Sequence, residues 1–460
     1  MSVSPVDSEV FGDLFGTSEM RALFADRQRF QAMLDVEAAL ARAEARLGVV
    51  PAAAAEAITR AARVETLDLA AIGARTCLVG YPVVGLVKEL ERAAGPDGAG
   101  YVHWGATTQD IMDTALMLQI RRGFDLLEAD LLRLVRELAS RAERHRDDVM
   151  AGRTHLQHAL PITFGYKCAI WLAPLADHVE RLRLLRRRVE VVQFGGAVGT
   201  LASLGDRGRA VAEALAAELG LGVPDAPWHS ARERIAEAAA FLGLLTGSLA
   251  KFATDVVLLM QTEVAEVAEP YREGRGGSST MPQKRNPIAS EYILAAARGV
   301  AALVPLVLNA MAGDHERSTG PWQSEFFALP QMFVLASGAL SHAAAVAEGM
   351  TVDSERMRRN VGATQGMISA EAVMMALAEK TGRGKAHRLV ERASAQALAQ
   401  SRPLGEILAA DPEITTHLDA AAIENLLAPE TYLGEAQAVI DRVVARARAL
   451  LGATSLEAAE

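Results

Sequence analysis

The chain has 460 residues, half of them apolar, with a net charge of −10 and a pI near 5.6. It is long enough to bury a large core and to form two or three domains. No basic run suits a nucleic-acid backbone, Met1–Pro5 has no basic and apolar leader, and no stretch of about twenty residues lacks charged or polar breaks, so neither a nucleic-acid partner, a signal peptide nor a membrane span is expected. Cys77 and Cys168 lie far apart and share no metal-ligand spacing, which argues against a disulfide framework or a zinc site.

Ala, Leu, Glu and Arg dominate, aromatics are only 5%, and strand-like alternation is scarce, a composition that favours helix. From Ser18 to Leu47 the spacing of Phe24, Phe30, Met33, Leu34, Ala38 and Leu40 predicts a helix pair, punctuated by Gly48 and Pro51. A short helix over 52–63 follows, then a loop over 78–85 with two glycines and a proline. A helix over 86–94 ends at Gly95-Pro96-Asp97-Gly98. Thr107 with Asp110 three residues on is a capping box in form, and opens a long helix along the seam Ile120, Phe124, Leu127, Leu131, Leu134 and Leu138.

Two readings stand open for Thr107-Thr108-Gln109. They cap that helix and nothing more, or their hydroxyls and the free N–H groups of the helix start hold a substrate carboxylate. Gly152-Arg153-Thr154-His155-Leu156-Gln157 reads as a loop leading into a helix, with an imidazole that titrates near neutrality and whose pKa a nearby carboxylate can raise. Gln193-Phe194-Gly195-Gly196-Ala197-Val198-Gly199-Thr200 is a glycine-rich turn, with no lysine of a phosphate-binding loop after it. His229 and Arg232 open the longest helix candidate, 231–269, either as a surface pair or as ligands; Glu263, Glu266 and Glu269 are expected to line its polar side or end. Further helices are predicted from Glu291 to Ala312, with a kink at Pro305, and from Pro330 to Glu348; a last helix begins at Tyr432-Leu433-Gly434.

The stretch that organises the chain is Gly276-Gly277-Ser278-Ser279-Thr280-Met281-Pro282-Gln283-Lys284-Arg285-Asn286-Pro287, followed by Glu291. The glycines free the backbone and the prolines stiffen it around an ammonium and an amide. A hydroxyl there can take a proton beside a carboxylate while the cation steadies the enolate-like charge.

This string resembles the signature of the aspartase/fumarase superfamily, the lyases that include fumarase, argininosuccinate lyase, adenylosuccinate lyase and the carboxymuconate cycloisomerases. Gly152–Gln157 and Thr107–Gln109 resemble its other two signature regions, in the right order. The resemblance implies an all-α fold of three domains: 1–106 N-terminal, 107–351 a long-helix bundle, and 352–460 a small C-terminal domain. It implies a cytoplasmic homotetramer with a common helical core and active sites shared between subunits, acting on a small di- or tricarboxylate without metal or cofactor. Carried over by position, Ser278 would be the base for the carbon-bound proton, Lys284 and Asn286 would stabilise the aci-carboxylate, and His155 paired with Glu291 would orient substrate or protonate the leaving group. Thr107, Thr108, Gln109, Thr154, Gln157, His229, Arg232, Ser279 and Met281 would bind substrate.

Within the superfamily the chain lacks three features of adenylosuccinate lyases: an N-terminal Arg-Tyr pair, an Arg-His-Asp run near Gly80-Tyr81-Pro82, and an arginine after Ser324-Glu325, where Phe326 stands. Gln193–Gly196, Pro227-Trp228-His229, Glu316-Arg317-Ser318, Trp322–Glu325 and Tyr432-Leu433-Gly434 instead resemble the cycloisomerase branch. His155 departs from that branch, which often places Trp or another residue there. That keeps open a fumarate-releasing elimination from an N-substituted aspartate or a nitrosuccinate-type substrate. A non-catalytic helical scaffold, as in lens crystallins, is the remote third reading.

Overall fold

Helices form where the apolar spacing predicts them. In a computed structural model, which describes residues 3–271, 281 and 283–457, the first pair covers Ser18–Phe24 and Asp26–Arg46. Thr17 caps the first by accepting from the Met20 N–H, and Gly48 follows the second at φ 67°, a value that suits a residue with no Cβ. The loop expected over 78–85 shrinks to Gly80–Pro82, because a helix runs Leu69–Val79 and the next starts at Val83. Leu78 and Val79 are exposed, so that helix presents no apolar face at its end for a periodicity to reveal.

Five long helices follow: Thr108–Arg144, Phe164–Val189, Glu233–Met260, Ile288–Asn309 and Pro321–Gly349. The seam from Ile120 to Leu138 is buried along its length. The first of the five, not the one beginning near Arg232, is the longest among the described residues. That later helix stops at Met260, so Glu263, Glu266 and Glu269 lie beyond it. Glu269 caps the next helix instead, accepting from the Ala289 and Ser290 N–H groups and the Ser290 hydroxyl. The last of the five begins nine residues before Pro330, at Pro321, where a missing N–H has no helical partner to lose.

The region expected to be a loop around His155 is an antiparallel hairpin, Val149–Thr154 against Gln157–Thr163. Its alternation is hidden in the sequence because Ala159 and Leu160 together stand opposite Gly152, a bulge that breaks the period. A second antiparallel pair joins Val267–Ala268 to Thr351–Val352. Helix otherwise dominates the described residues, and the fold is all-α with several domains.

The chain divides into two compact units, each discontinuous in sequence. The first comprises Met1–Asp130, His178–Ala250 and Tyr292–His342; the second comprises Leu131–Asp177, Lys251–Glu291 and Ala343–Glu460. In the first, Phe124 packs on Phe241 at 5.9 Å and on Phe333 at 5.4 Å, and a Cβ at Gly123 would come within 2.9 Å of the Phe333 ring. In the second, Trp171 packs edge-on to Phe164 and Phe252 and donates its indole N–H to Asp255 at 2.7 Å. Helices after residue 353 close their own core around Val373, Leu377, Leu389 and Ile407.

Three of the long helices (Glu233–Met260, Ile288–Asn309 and Pro321–Gly349) are long and apolar enough to cross a membrane by length and composition alone. In Ile288–Asn309 only 28% of the most apolar stretch is buried within the chain.

One buried acid gives a pH prediction. Glu44 is fully buried, neither carboxyl oxygen has a hydrogen-bond partner among the described residues, and burial with the nearby Glu37 charge pushes its pKa up to about 8. A folded pKa above the unfolded one favours the protonated folded form, so stability is present below the ordinary glutamate pKa and is lost as pH rises toward 8. Glu44→Gln is therefore expected to flatten the fall in urea midpoint between pH 5 and pH 8. Parallel curves for the two proteins would show that Glu44 is not buried as an acid.

Candidate active site

The first cluster is built on the start of the Thr108–Arg144 helix, in the first unit. Asp110 is buried and its carboxylate gathers five donors. These are the backbone N–H groups of Thr107 (3.0 Å), Gly195 (3.0 Å) and Gly196 (2.9 Å), the Gln193 amide (3.3 Å), and His229 Nε2 at 2.7 Å. The Asp of the expected capping box thus does half of that box's work, through the Thr107 N–H. The hydroxyls of Thr107 and Thr108 make no hydrogen bond to a described residue, and the Thr108 and Gln109 N–H groups have no backbone partner among them. Both threonines are partly exposed. An anion at this helix start would find free donors and positive potential.

The glycine-rich turn is shaped by that carboxylate. A Cβ at Gly195 would come within 2.8 Å of Pro227 and 2.9 Å of the His229 ring, and Gly196 has φ 68°. Arg317 donates to the Ala197 carbonyl at 2.8 Å and ties the turn to the charged segment 314–318.

Beneath this turn lies a buried ion cluster. Arg232 donates from Nη1 and Nη2 to Asp113 at 2.7 and 3.0 Å, and from Nε and Nη2 to Glu325 at 3.0 and 2.5 Å; the remaining Nη1 hydrogen faces the Trp228 carbonyl at 3.5 Å. Its guanidinium lies 5.0 Å from the Trp228 ring centroid. Asp113 also accepts from Gln109 at 3.0 Å and from the Trp322 indole at 3.2 Å. Burial works against the Arg232 charge, but Asp113 and Glu325 outweigh it and raise its pKa; burial also raises that of Glu325, beyond what Arg232 offsets. His229 and Arg232 are therefore not a surface pair, since each is at most 3% exposed. Gln109 is equally buried, bonded to Asp113 and the His229 carbonyl. Asp113 and Glu325 also line a cavity of about 170 Å³ walled by Met33, Met112, Trp322 and Phe326.

The remaining described residues of the predicted site, from 154 to 157 and from 281 to 291, lie in the second unit, and no hydrogen bond or ion pair joins the one stretch to the other among the described residues. His155 and Leu156 form the two-residue tip of the hairpin, at φ 50° and 63°. Two positive φ values are what a type I′ turn requires, and Asn-Gly usually supplies them. Two residues with full side chains are strained there. Thr154, His155 and Gln157 are exposed, and none makes a side-chain hydrogen bond to a described residue. Lys284 and Glu291 are exposed and Asn286 is half-buried; Glu291 sits in the first turn of Ile288–Asn309. Among the described residues no ion pair or hydrogen bond joins His155 to Glu291. Met281 is exposed. Ser278 and Ser279 lie outside the described residues.

Asp110, Asp113 and Glu266 were not singled out from the sequence as site-building residues. For the first two the spacing of three puts both acids on one helix face, but only their burial in the structure shows that they need cations or N–H groups supplied from elsewhere. Among the described residues no three His, Cys, Asp or Glu side chains form a group that could hold a metal ion.

The family model described as Lyase matches residues 15–302, and the adenylosuccinate lyase C-terminus model matches 366–443. The chain belongs to this lyase family and is an enzyme of the aspartase/fumarase superfamily. It is 50% identical over 446 residues to 3-carboxy-cis,cis-muconate cycloisomerase of Pseudomonas aeruginosa, covering 96% of this chain and 97% of that one. The crystal structure of 3-carboxy-cis,cis-muconate lactonizing enzyme from Pseudomonas putida matches with a TM-score of 0.91 at 45% identity, over 96% of this chain and 100% of that one. Nitrosuccinate lyase of Streptomyces davaonensis is 42% identical over 450 residues, 95% of each chain.

Proposed function

We propose that this enzyme is a 3-carboxy-cis,cis-muconate cycloisomerase of aromatic-acid breakdown. A carboxylate oxygen of the substrate adds across a double bond, forming the lactone C–O bond, while the carbon beside another carboxylate gains a proton. The observation that carries this reading is the near-full-length similarity, at 50% identity, to an enzyme of that name. In the ring-closing direction the Ser278 hydroxyl gives up the proton and its alkoxide is reprotonated from water; in the reverse direction the alkoxide takes the carbon-bound proton. Lys284 and Asn286 stabilise the aci-carboxylate between these steps. Thr107 and Thr108 bind a carboxylate at the helix start, a reading supported by their hydroxyls and the Thr108 and Gln109 N–H groups, which have no partner among the described residues. Thr154, Gln157, Ser279 and Met281 complete the substrate's surroundings. His155, paired with Glu291, orients it.

Gln109, His229 and Arg232 take a different part. Their donors are engaged inside the first unit, so we assign them to holding the carboxylate-binding turn in place. Pairing of His155 with Glu291 would be made between subunits of a homotetramer, with 107–351 as the shared helical core between the flanking segments 1–106 and 352–460. The apolar surface left uncovered on Ile288–Asn309 supports that assembly. The protein is expected to be soluble and cytoplasmic, with no nucleic-acid or membrane partner.

The similarity to nitrosuccinate lyase, together with the retained His155, favours one second reading: elimination from a substituted succinate with release of fumarate. An ultraviolet assay separates the two. Loss of 3-carboxy-cis,cis-muconate absorbance on adding the enzyme is the expected result, and it should survive dialysis against a chelator. Fumarate appearing from a succinate panel, with the muconate untouched, would establish the second reading.

A further inference from the structure

We propose that Arg153, Glu266 and Asn360 are positioning residues that hold the strained His155 tip for reaction. This rests on the assignment of His155 to the substrate.

A two-residue tip at positive φ without glycine or asparagine does not hold its shape through local preference. Something outside the turn must over-determine it. The bulge opposite Gly152 is the first part of that device. Gly152 lies so close to the second strand that a Cβ would come within 2.7 Å of the Leu160 carbonyl oxygen. After the bulge, Arg153 pairs with His158 and Thr154 with Gln157, so the register is carried straight into the tip.

Arg153 then reaches inward to Glu266, whose side chain is fully buried. Nη1 donates to Oε2 at 2.9 Å and Nη2 to Oε1 at 2.7 Å, a bidentate pair whose planar fork fixes the arginine's orientation as well as its place. Asn360 Nδ2 donates to the same Oε1 at 2.7 Å and to the Val264 carbonyl at 2.8 Å. Glu266 is held through its backbone too: its N–H donates to the Leu259 carbonyl and its carbonyl accepts from Asp353, both at 2.9 Å. Arg356 ties the carbonyls of Glu263 and Val264 to the same helix, Ser354–Gly362. Val149 and Ala151 pack against Val361 and Ile368.

Arg153 is thus two residues from His155 and bonded to a buried acid that is held by both its side chain and its backbone. Loosening that anchor leaves the strand paired but frees the tip to relax. A shift of about 1 Å in an orienting group can slow a reaction by as much as 10²-fold without much loss of binding.

The test is a double-variant cycle on 3-carboxy-cis,cis-muconate turnover, with wild type, His155→Gln, Glu266→Gln and both together. Glu266→Gln keeps the side chain's size and one accepting oxygen while removing its charge. We expect it to lower kcat about 10- to 100-fold with KM changed far less, and the double variant to be no slower than His155→Gln alone. Losses that multiply in the double variant would overturn the proposal, because a general structural role acts equally well without the imidazole. If His155→Gln alone keeps full kcat, the assignment of His155 has failed and this inference falls with it. If wild type leaves the muconate untouched, the proposed substrate has failed, and the same cycle is read on whichever succinate releases fumarate.

Hydrogen exchange gives an arm independent of substrate. Glu266→Gln should speed exchange in 149–163 while the Thr108–Arg144 helix is unchanged, and unaltered exchange in the hairpin would overturn the proposal. Should Glu266→Gln fail to fold, Arg153→Lys, which keeps the charge and loses the fork, is read in the same cycle against the same outcomes.

Discussion

Ser278→Ala is expected to lower turnover by about 10²- to 10⁴-fold, the range of a positioned proton-transfer group, while helicity and oligomeric state stay as in wild type. The reasoning is chemical. A serine hydroxyl is a poor base in water, so its role requires a surrounding that lowers its pKa, and Lys284 with Asn286 in the same stretch are the groups to stabilise the charge opposite. If the threonines of the helix start bind the substrate as proposed, removing the hydroxyl leaves that binding in place, so KM should move much less than kcat. Near-normal kcat in the variant would show that another group moves the proton.

Arg232→Met should destabilise the protein by roughly 3–5 kcal/mol at pH 7, because it leaves buried carboxylates without their cation. Asp113 and Glu325 are each about 1% exposed and together share the guanidinium. With Arg232 gone, nothing offsets the burial that already raises the Glu325 pKa, so it rises further above its value in the unfolded chain. The loss should therefore be smaller at pH 5 than at pH 8, as the folded protein takes up protons that the unfolded chain releases. Urea unfolding at fixed protein concentration checks both the size and the slope. Adding Asp113→Asn and Glu325→Gln to the variant should recover part of the loss, since the penalty lies in the unpaired charges. A loss under about 1 kcal/mol, independent of pH, would mean that water reaches the cluster.

Much of the helical frame was legible. The Ile120–Leu138 seam is an unbroken run of apolar positions at helical spacing, and each of them is buried. The capping box that Thr107 and Asp110 predict is half formed, with Asp110 accepting from the Thr107 N–H. The hairpin was not legible. A bulge interrupts its alternation, Pro161 sits within it, and its tip carries His155 and Leu156 where a glycine or asparagine would have announced a turn.

Of the two readings the sequence leaves open for His229 and Arg232, burial removes the surface pair, and the reason it is not legible is related. Their partners Asp110 and Asp113 are each 119 residues away in the chain, and Glu325 is 93 away. Charge and helix position alone favour the surface, because a buried arginine is tolerated only when acids come to meet it. Likewise Glu266 and Glu269 looked like the polar end of a helix. One is the buried partner of Arg153, and the other caps the following helix.

By itself the amino-acid sequence determined the all-α frame and the superfamily. Helical periodicity is a local property, and the signature stretches bring their chemistry within a few consecutive residues. Only the tertiary structure decided which acids are buried, which donors remain free at the Thr107–Thr108 helix start, and how His155 is held. Those follow from pairings between distant segments, where burial in low dielectric makes every unpaired charge costly and so dictates which side chains must meet.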